Sequence, residues 1–247
     1  MRSLGELIAI LSGKGGTGKT SVCAGIASAL AQDGKSVLCI DCDMGLRNLD
    51  ISLGLRDLGA LSFLDVCQGG YSLRQATVHP LYPSLRFLTA PIHCPAEQVE
   101  LSAFAQMLRD ARAEFDYIFL DAPAGIDQGF RMAAKYADRV LLVTGSDPAA
   151  VRDARRTGEL LELMGKSDVR LIVNRISKKM ASAMAMTVDD VMDQAGLPLM
   201  GIVPDDPNVT LAAAFNQPLL AYTNRGAAAA CRRISQRIRG LRVRISL

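Results

Sequence analysis

Gly13-Lys14-Gly15-Gly16-Thr17-Gly18-Lys19-Thr20 satisfies the phosphate-binding pattern G-x-x-x-x-G-K-[ST]. Each residue type has a physical task in that pattern. Glycines let backbone N–H groups converge on a phosphate without side-chain obstruction. Lys19 sets a positive charge against the β/γ oxygens, and the Thr20 hydroxyl is a ligand for Mg²⁺. Ser21 adjoins them and is counted with the nucleotide-binding candidates. The flanks agree with this task. Leu7-Ile8-Ala9-Ile10-Leu11 reads as a buried strand and Thr20–Ala31 as a helix, so the loop lies where a helix N-terminus faces an anion.

The same alternation runs outward along the chain. Candidate strands are Leu7–Leu11, Ser36–Ile40, Leu85–Thr89, Tyr117–Leu120, Val140–Thr144, Arg170–Val173 and Leu199–Val203. Candidate helices are Thr20–Ala31, Ala96–Ala113, Gly129–Tyr136, Ala149–Met164, Val188–Ala195 and Ala227–Arg239. Continuous apolar strands separated by helices predict an α/β fold, a single-domain P-loop NTPase whose mostly parallel sheet carries helices on both faces. Ligands in such sheets sit at the carboxyl ends of the strands, and the remaining motifs fall there.

Asp41-Cys42-Asp43 follows the second strand. Two carboxylates at a strand end can orient a water or support Mg²⁺ through one, and they can equally serve as turn or cap residues. Tyr117-Ile118-Phe119-Leu120-Asp121 is an apolar strand ending in a carboxylate, the arrangement that places an acid near Mg²⁺ in P-loop NTPases. Asn174-Arg175 ends another strand, where an Asn presents a donor and an acceptor to an adenine edge or simply closes a turn. Lys14 is a second lysine in a loop that already has Lys19. It is either a solvated side chain or a further phosphate-directed charge.

Three strings resemble the MinD/ParA ATPases: Lys14–Thr20, Gly45-Leu46-Arg47-Asn48-Leu49-Asp50, and Asp121-Ala122-Pro123-Ala124-Gly125. The first is similar to their deviant Walker A loop. The second resembles the switch I segment of the MinD branch, whereas the ParA group usually carries a Pro-Gln-Gly-like segment that is absent here. The third is similar to switch II, whose glycine permits movement with nucleotide state. The resemblance spans Leu7 to about Gly240. It implies ATP and Mg²⁺ as cofactors, and catalytic roles for Lys14, Lys19 and Asp43. Lys14 would reach the nucleotide of a facing subunit, and Asp43 would position the attacking water. Thr20 would ligate Mg²⁺ directly, with Asp41 and Asp121 in its outer shell. It implies base contacts from Asn174 and Arg175, and from Pro204 and Asp206 of the loosely matching Pro204-Asp205-Asp206. Thr144–Pro148 with Val151-Arg152-Asp153 resembles the dimer-facing loop, with Asp147 where a longer acid is common.

The implied function is an ATP-dependent dimerising switch that regulates placement of the division septum through reversible membrane association. Partners would be a second copy and Min-type division-inhibitor and ATPase-stimulating proteins. Two rivals stand beside it. A DNA-partitioning ATPase is favoured by the basic C-terminal end and opposed by the Gly45–Asp50 string. A nucleotide-gated metallocluster carrier would need interface cysteines near the switch segments, for which Cys94 is the one candidate.

Composition narrows the field. The 247 residues suit one sizeable α/β domain. No run approaches the roughly 18 apolar residues of a membrane span, and Leu7 opens a strand instead of a signal sequence, so a cytoplasmic protein is expected. The net charge of +3 is too small to argue for nucleic acid. Six arginines from Arg232 to Arg244, with no acid among them, make the end locally basic. The ATPase domain is assigned to residues 1–240 and a short basic tail to 241–247. In that tail Ile234, Ile238, Leu241 and Ile245 have helical spacing suited to an interfacial helix, while Leu241, Val243, Ile245 and Leu247 alternate as in a strand. Of the six cysteines, Cys39 and Cys42 form a C-x-x-C, but their strand position points them to opposite faces. Buried free thiols in a reducing compartment are expected. Met180, Met184, Met186 and Met192 are read as packing residues.

Overall fold

The computed structural model describes residues 4–92, 98–177 and 187–246. The strands are β1 (Glu6–Leu11), β2 (Val37–Asp41), β3 (Thr77–Val78), β4 (Leu85–Leu88), β5 (Tyr117–Asp121), β6 (Arg139–Thr144), β7 (Val169–Ile176) and β8 (Leu199–Pro204). They form one sheet in the order β3-β4-β2-β5-β1-β6-β7-β8. Every pairing is parallel except the short β3–β4 edge pair.

Side-chain alternation divides the sheet into two faces. Leu7, Ala9, Leu11, Leu38, Ile40, Ile118 and Leu120 enter one apolar cluster, and Ile8, Ile10, Val37, Cys39 and Phe119 enter the other. The first is covered by α3 (Phe63–Cys67), α4 (Leu101–Glu114), α5 (Gln128–Tyr136), α6 (Pro148–Leu163) and α7 (Val188–Ala195). The second is covered by α1 (Lys19–Gln32), α2 (Leu49–Leu53), α8 (Asn208–Ala214), α9 (Leu219–Tyr222) and α10 (Gly226–Ile238). Each fully buried Ile, Leu or Phe on these faces contributes roughly 1.5–3 kcal/mol against exposure. Both faces being apolar explains the unbroken hydrophobic strands.

Helix α1 is buried nearly all round from Val22 to Ala31 because it is wedged between the sheet and α10. Its small residues permit that approach. A Cβ at Gly25 would lie 2.6 Å from the Cys231 sulfur.

The expected strands and most of the longer helices are present, with ends shifted by a residue or two. Helix α4 begins later than expected, at Leu101. Strand β7 runs through Asn174 and Arg175 to Ile176 instead of ending before them. Its register with β8 shifts between Val173 and Ile176, and Arg175 adopts φ +56°. This irregularity lets the ladder resume at Ile176–Pro204 while turning the 174–175 pair toward the phosphate loop.

Among its described residues, 241–246, the tail forms neither a helix nor a paired strand. Ile234 and Ile238 are core residues of α10, 1% and 5% exposed. After the turn at Gly240 the chain folds back in extended form, with the carbonyls of Val243 and Ser246 accepting from Arg237 Nη1 (2.9 Å) and Arg233 Nη2 (2.7 Å). Ile245 packs against the apolar cluster on the opposite face from α10. Competition from the core therefore dismantles the four-residue stripe.

Cys39 and Cys42 do point to opposite faces, one in each cluster. Cys23, Cys39, Cys42 and Cys231 are free and buried, and Cys67 is free and half-buried. Met192 lies in α7. Cys94, Met180, Met184 and Met186 fall outside the described residues. No described helix is long and apolar enough to cross a membrane.

Candidate nucleotide site

Strand β1 lies between β5 and β6; the chain runs from β1 to β2 in one half of the sheet and later crosses from β5 to β6 in the other, so the connections diverge about β1. A crevice opens at the carboxyl ends of strands at such a reversal. The 13–18 loop lies there and delivers the chain into α1. Gly18, the residue before α1, has φ +82°, and the first turn has no side-chain cap. The N–H groups of that turn are therefore presented to a ligand, together with the positive end of the helix dipole. Gly18 is required for a second reason. A Cβ there would meet Asn174 Nδ2 at 2.4 Å.

The carboxylates converge on the same point. Asp41 of β2 and Asp121 of β5 are direct partners in the parallel register, and Ile10 of β1 pairs with Asp121. Both aspartates are 1% exposed. Burial raises Asp121 to about 7, opposed by the Lys19 charge and the Thr20 hydroxyl and reinforced by the charge of Asp41. Burial also raises Asp41 to about 6, opposed by the N–H groups of Asp43 (2.9 Å) and Leu49 (3.2 Å). Lys19 is itself 8% exposed. Asp121 Oδ1 and Thr17 Oγ1 are buried without a hydrogen-bond partner. Buried polar atoms are nearly always satisfied in folded proteins, so these two mark where a ligand shell would donate or accept. An acid with one oxygen beside the Thr20 hydroxyl and the other unpartnered, next to a lysine, fits a hydrated Mg²⁺ held on a phosphate.

Asp43 is half-buried, and its Oδ1 accepts from the N–H groups of Gly45 and Leu46, both at 3.2 Å. Lys14 is exposed at the rim, and its carbonyl accepts from Ser12 Oγ at 3.0 Å. It shares a cleft of about 430 Å³ with Gly145–Asp147, Arg175 and Asp205. Asn174 is buried and donates to the Thr17 carbonyl at 2.7 Å, while Arg175 Nη1 donates to the Gly16 carbonyl at 3.0 Å. Both side chains thus brace the loop from β7. With Ser21, Pro204 and Asp206 they line a second cleft of about 170 Å³. The Asp206 oxygens are engaged within the fold. Oδ1 accepts from the Asn208 backbone at 3.0 Å, and Oδ2 from Ala227 N–H at 2.9 Å at the start of α10. Asp147 caps α6 through Ala150 N–H at 3.0 Å. A further cleft of about 720 Å³ between the C-terminal ends of α6 and α7 contains none of these groups.

Ser12 is a site residue that sequence reading passed over. Its carbonyl accepts from Gly125 N–H at 3.1 Å, so it ties the phosphate loop to the segment after β5. Its place between the apolar strand β1 and Gly13 was the available signal, and the structure shows it buried.

Residues 8–219 match the CobQ/CobB/MinD/ParA nucleotide binding domain. The chain belongs to this family. It is 38% identical over 245 residues to the septum site-determining protein MinD of Bacillus subtilis, covering 96% of this chain and 90% of the relative. It is 36% identical to MinD of Thermotoga maritima over 241 residues, covering 96% and 89%. The fold superimposes on MinD in the MinC:MinD cell division protein complex of Aquifex aeolicus with a TM-score of 0.90, 33% identity and 98% coverage of both chains. It also superimposes on MinD of Pyrococcus horikoshii complexed with Mg-ADP, with a TM-score of 0.81, 25% identity and 95% and 96% coverage.

Proposed function

We propose that this chain is a MinD-type ATPase switch. It binds Mg·ATP, dimerises through it, hydrolyses it, and acts in the placement of the division septum with Min-type partners. The observation that carries the reading is the convergence of Lys19, Thr20, Asp41 and Asp121, with its partnerless Oδ1, on one uncapped helix N-terminus. Relatives named for septum-site determination, and a neighbour solved with MinC, support the biological role. A ParA family ATPase of Chlorobium tepidum matches at 21% identity and bears on the fold alone.

The residues divide the work. Loop N–H groups and Lys19 hold the β/γ-phosphates, and Thr20, Asp41 and Asp121 hold the metal. When bound, Mg²⁺ neutralises charge on the transferring phosphoryl group. Asp43 orients the attacking water, its second oxygen being the one outside the Gly45–Leu46 turn. Catalysis rests on positioning and charge. Asn174, with its amide nitrogen committed to Thr17, offers its carbonyl oxygen to the amino group of adenine. The ATPase unit is assigned to residues 1–240 and the short basic tail to 241–247.

Lys14 is assigned to the nucleotide of the facing subunit. Lys14→Ala should bind nucleotide nearly as well as the parent yet lose ATP-dependent dimerisation and turnover together, each by at least about tenfold, or ~1.4 kcal/mol. A normal ATP dimer by light scattering would remove the cross-subunit role.

The tail is proposed to attach the ATP dimer, from the cytoplasmic side, to anionic membrane. Leu241 is 49% exposed, and Arg242 and Arg244 are exposed beside it. One leucine contributes roughly 1.5–3 kcal/mol when buried, and each arginine about 1 kcal/mol near an anionic surface. One tail is therefore marginal and two act through effective concentration. Leu241→Glu should lower ATP-dependent co-sedimentation with phosphatidylserine vesicles about tenfold without loss of turnover. Ile245→Glu should also reduce stability, because Ile245 packs on the core. ATP-loaded protein that stays in the supernatant at low salt rules out the tail as an anchor.

A further inference from the structure

The segment leaving β2 is held at both ends by one carboxylate, since Asp41 accepts from Asp43 N–H and from Leu49 N–H. Between these anchors one further restraint crosses to another part of the sheet. Arg47 Nε donates to Thr89 Oγ1 at 3.0 Å, across 42 positions of sequence. Thr89 is a firm anchor. It is 3% exposed just beyond β4, its N–H donates to the Leu61 carbonyl at 2.9 Å, and its carbonyl accepts from Phe63 N–H at 3.0 Å. Arg47 is held in the left-handed region at φ +50°, where a residue with a side chain persists only if its surroundings fix it. Its backbone N–H donates to the carbonyl of Asp43 at 3.1 Å. Thr89 is thus two hydrogen bonds from the backbone of Asp43, with Arg47 between them.

We propose that Thr89 is a positioning residue for hydrolysis: through Arg47 it fixes the 43–48 segment and so the direction of the Asp43 carboxylate. The proposal rests on the ATPase reading above. Thr89 lies outside the three strings that carry the family resemblance, and its chemistry is to accept one hydrogen bond from a rigid place. Without that bond the segment keeps the two Asp41 anchors but loses its lateral restraint. Asp43 then samples more directions, and the fraction of complexes with a correctly aimed water falls. Nucleotide binding rests on the 13–20 loop, Asp41 and Asp121, and the two hydrogen bonds to Asp41 remain without the Arg47–Thr89 bond, so it is unaffected.

Thr89→Val removes the acceptor at nearly constant volume, and Thr89→Ser retains it. Arg47→Met removes the donor and keeps the stem. Thr89→Val and Arg47→Met should each lower kcat about five- to tenfold with KM and ATP affinity unchanged. Thr89→Ser should restore the parental kcat, which a merely structural loss would not require. A second readout is independent of activity. Tryptic cleavage after Arg47, followed by mass spectrometry, should be about fivefold faster in Thr89→Val because the segment opens more often. Parental kcat in Thr89→Val, or a KM that rises in step with the loss of kcat, overturns the proposal. A parent protein that binds ATP but never turns it over sinks the ATPase reading instead. That result is separable from failure of the Thr89–Arg47 restraint, which is an unchanged rate of cleavage after Arg47.

Discussion

Lys19→Ala is expected to weaken Mg·ATP binding at least about hundredfold, or ~2.8 kcal/mol. Two losses combine in that figure. The first is the charge itself, held 8% exposed behind the loop, where an ionic hydrogen bond to phosphate is about twice as strong as a neutral one. The second acts through Asp121. Lys19 is the leading influence that lowers this buried acid toward ionisation, so without it Asp121 stays protonated at neutral pH and serves the metal poorly. Titration calorimetry with Mg·ATP measures the sum. Unchanged affinity would remove the loop from the site.

The same acid sets a pH signature. Asp121 sits at about 7 in the fold against 3.8 in a free chain, and Asp41 at about 6. Between those values the folded protein binds more protons than the unfolded chain, so the contribution of these groups to stability falls as pH rises from about 4 to about 7, and the loss is complete above that range. Metal binding needs both groups ionised, so stabilisation by Mg·ATP should grow over the same interval. Thermal melts from pH 5 to 8 should show the gap between ligand-bound and ligand-free protein widening. In Lys19→Ala the window moves upward.

What the sequence discloses follows the length of the signals. The β1–loop–α1 unit and the long helices were legible because apolar period and glycine placement reinforce one another over many residues. The two-faced sheet was legible in the unbroken strands, and even the opposed thiols of Cys39 and Cys42 followed from period two. Helices α2, α3 and α9, of five, five and four residues, are shorter than any helical period can declare. The tail stayed ambiguous in the sequence because Ile234 and Ile238 fit both the last core helix and an interfacial stripe, and the core takes them. Asp206 was read for its chemistry, while both its oxygens are engaged in the fold at the starts of α8 and α10. The Arg47–Thr89 contact has no sequence signal, since neither residue belongs to a pattern that names the other.

Asp43→Ala should leave Mg·ATP affinity within about threefold of the parent and lower kcat at least about hundredfold, or ~2.7 kcal/mol of transition-state stabilisation. The asymmetry follows from placement. Asp41 and Asp121 are 1% exposed beside Lys19, where charge and metal are held. Asp43 is half-buried on the connection beyond β2, with one oxygen engaged by Gly45 and Leu46 N–H. It therefore contributes little to ground-state binding and can act on a water approaching the γ-phosphate. Removing it also dissolves the Gly45–Leu46 turn, so Asp43→Asn is the sharper variant. Its amide oxygen can still accept from those N–H groups, but the side chain has lost the charge that orients the water. Both variants should bind ATP and accumulate as ATP dimers by light scattering, because dimerisation precedes hydrolysis and nothing then dissolves the pair. If Asp43→Asn turns over like the parent while Asp43→Ala does not, Asp43 acts through the turn alone and another group orients the water. If both turn over like the parent, Asp43 has no part in hydrolysis.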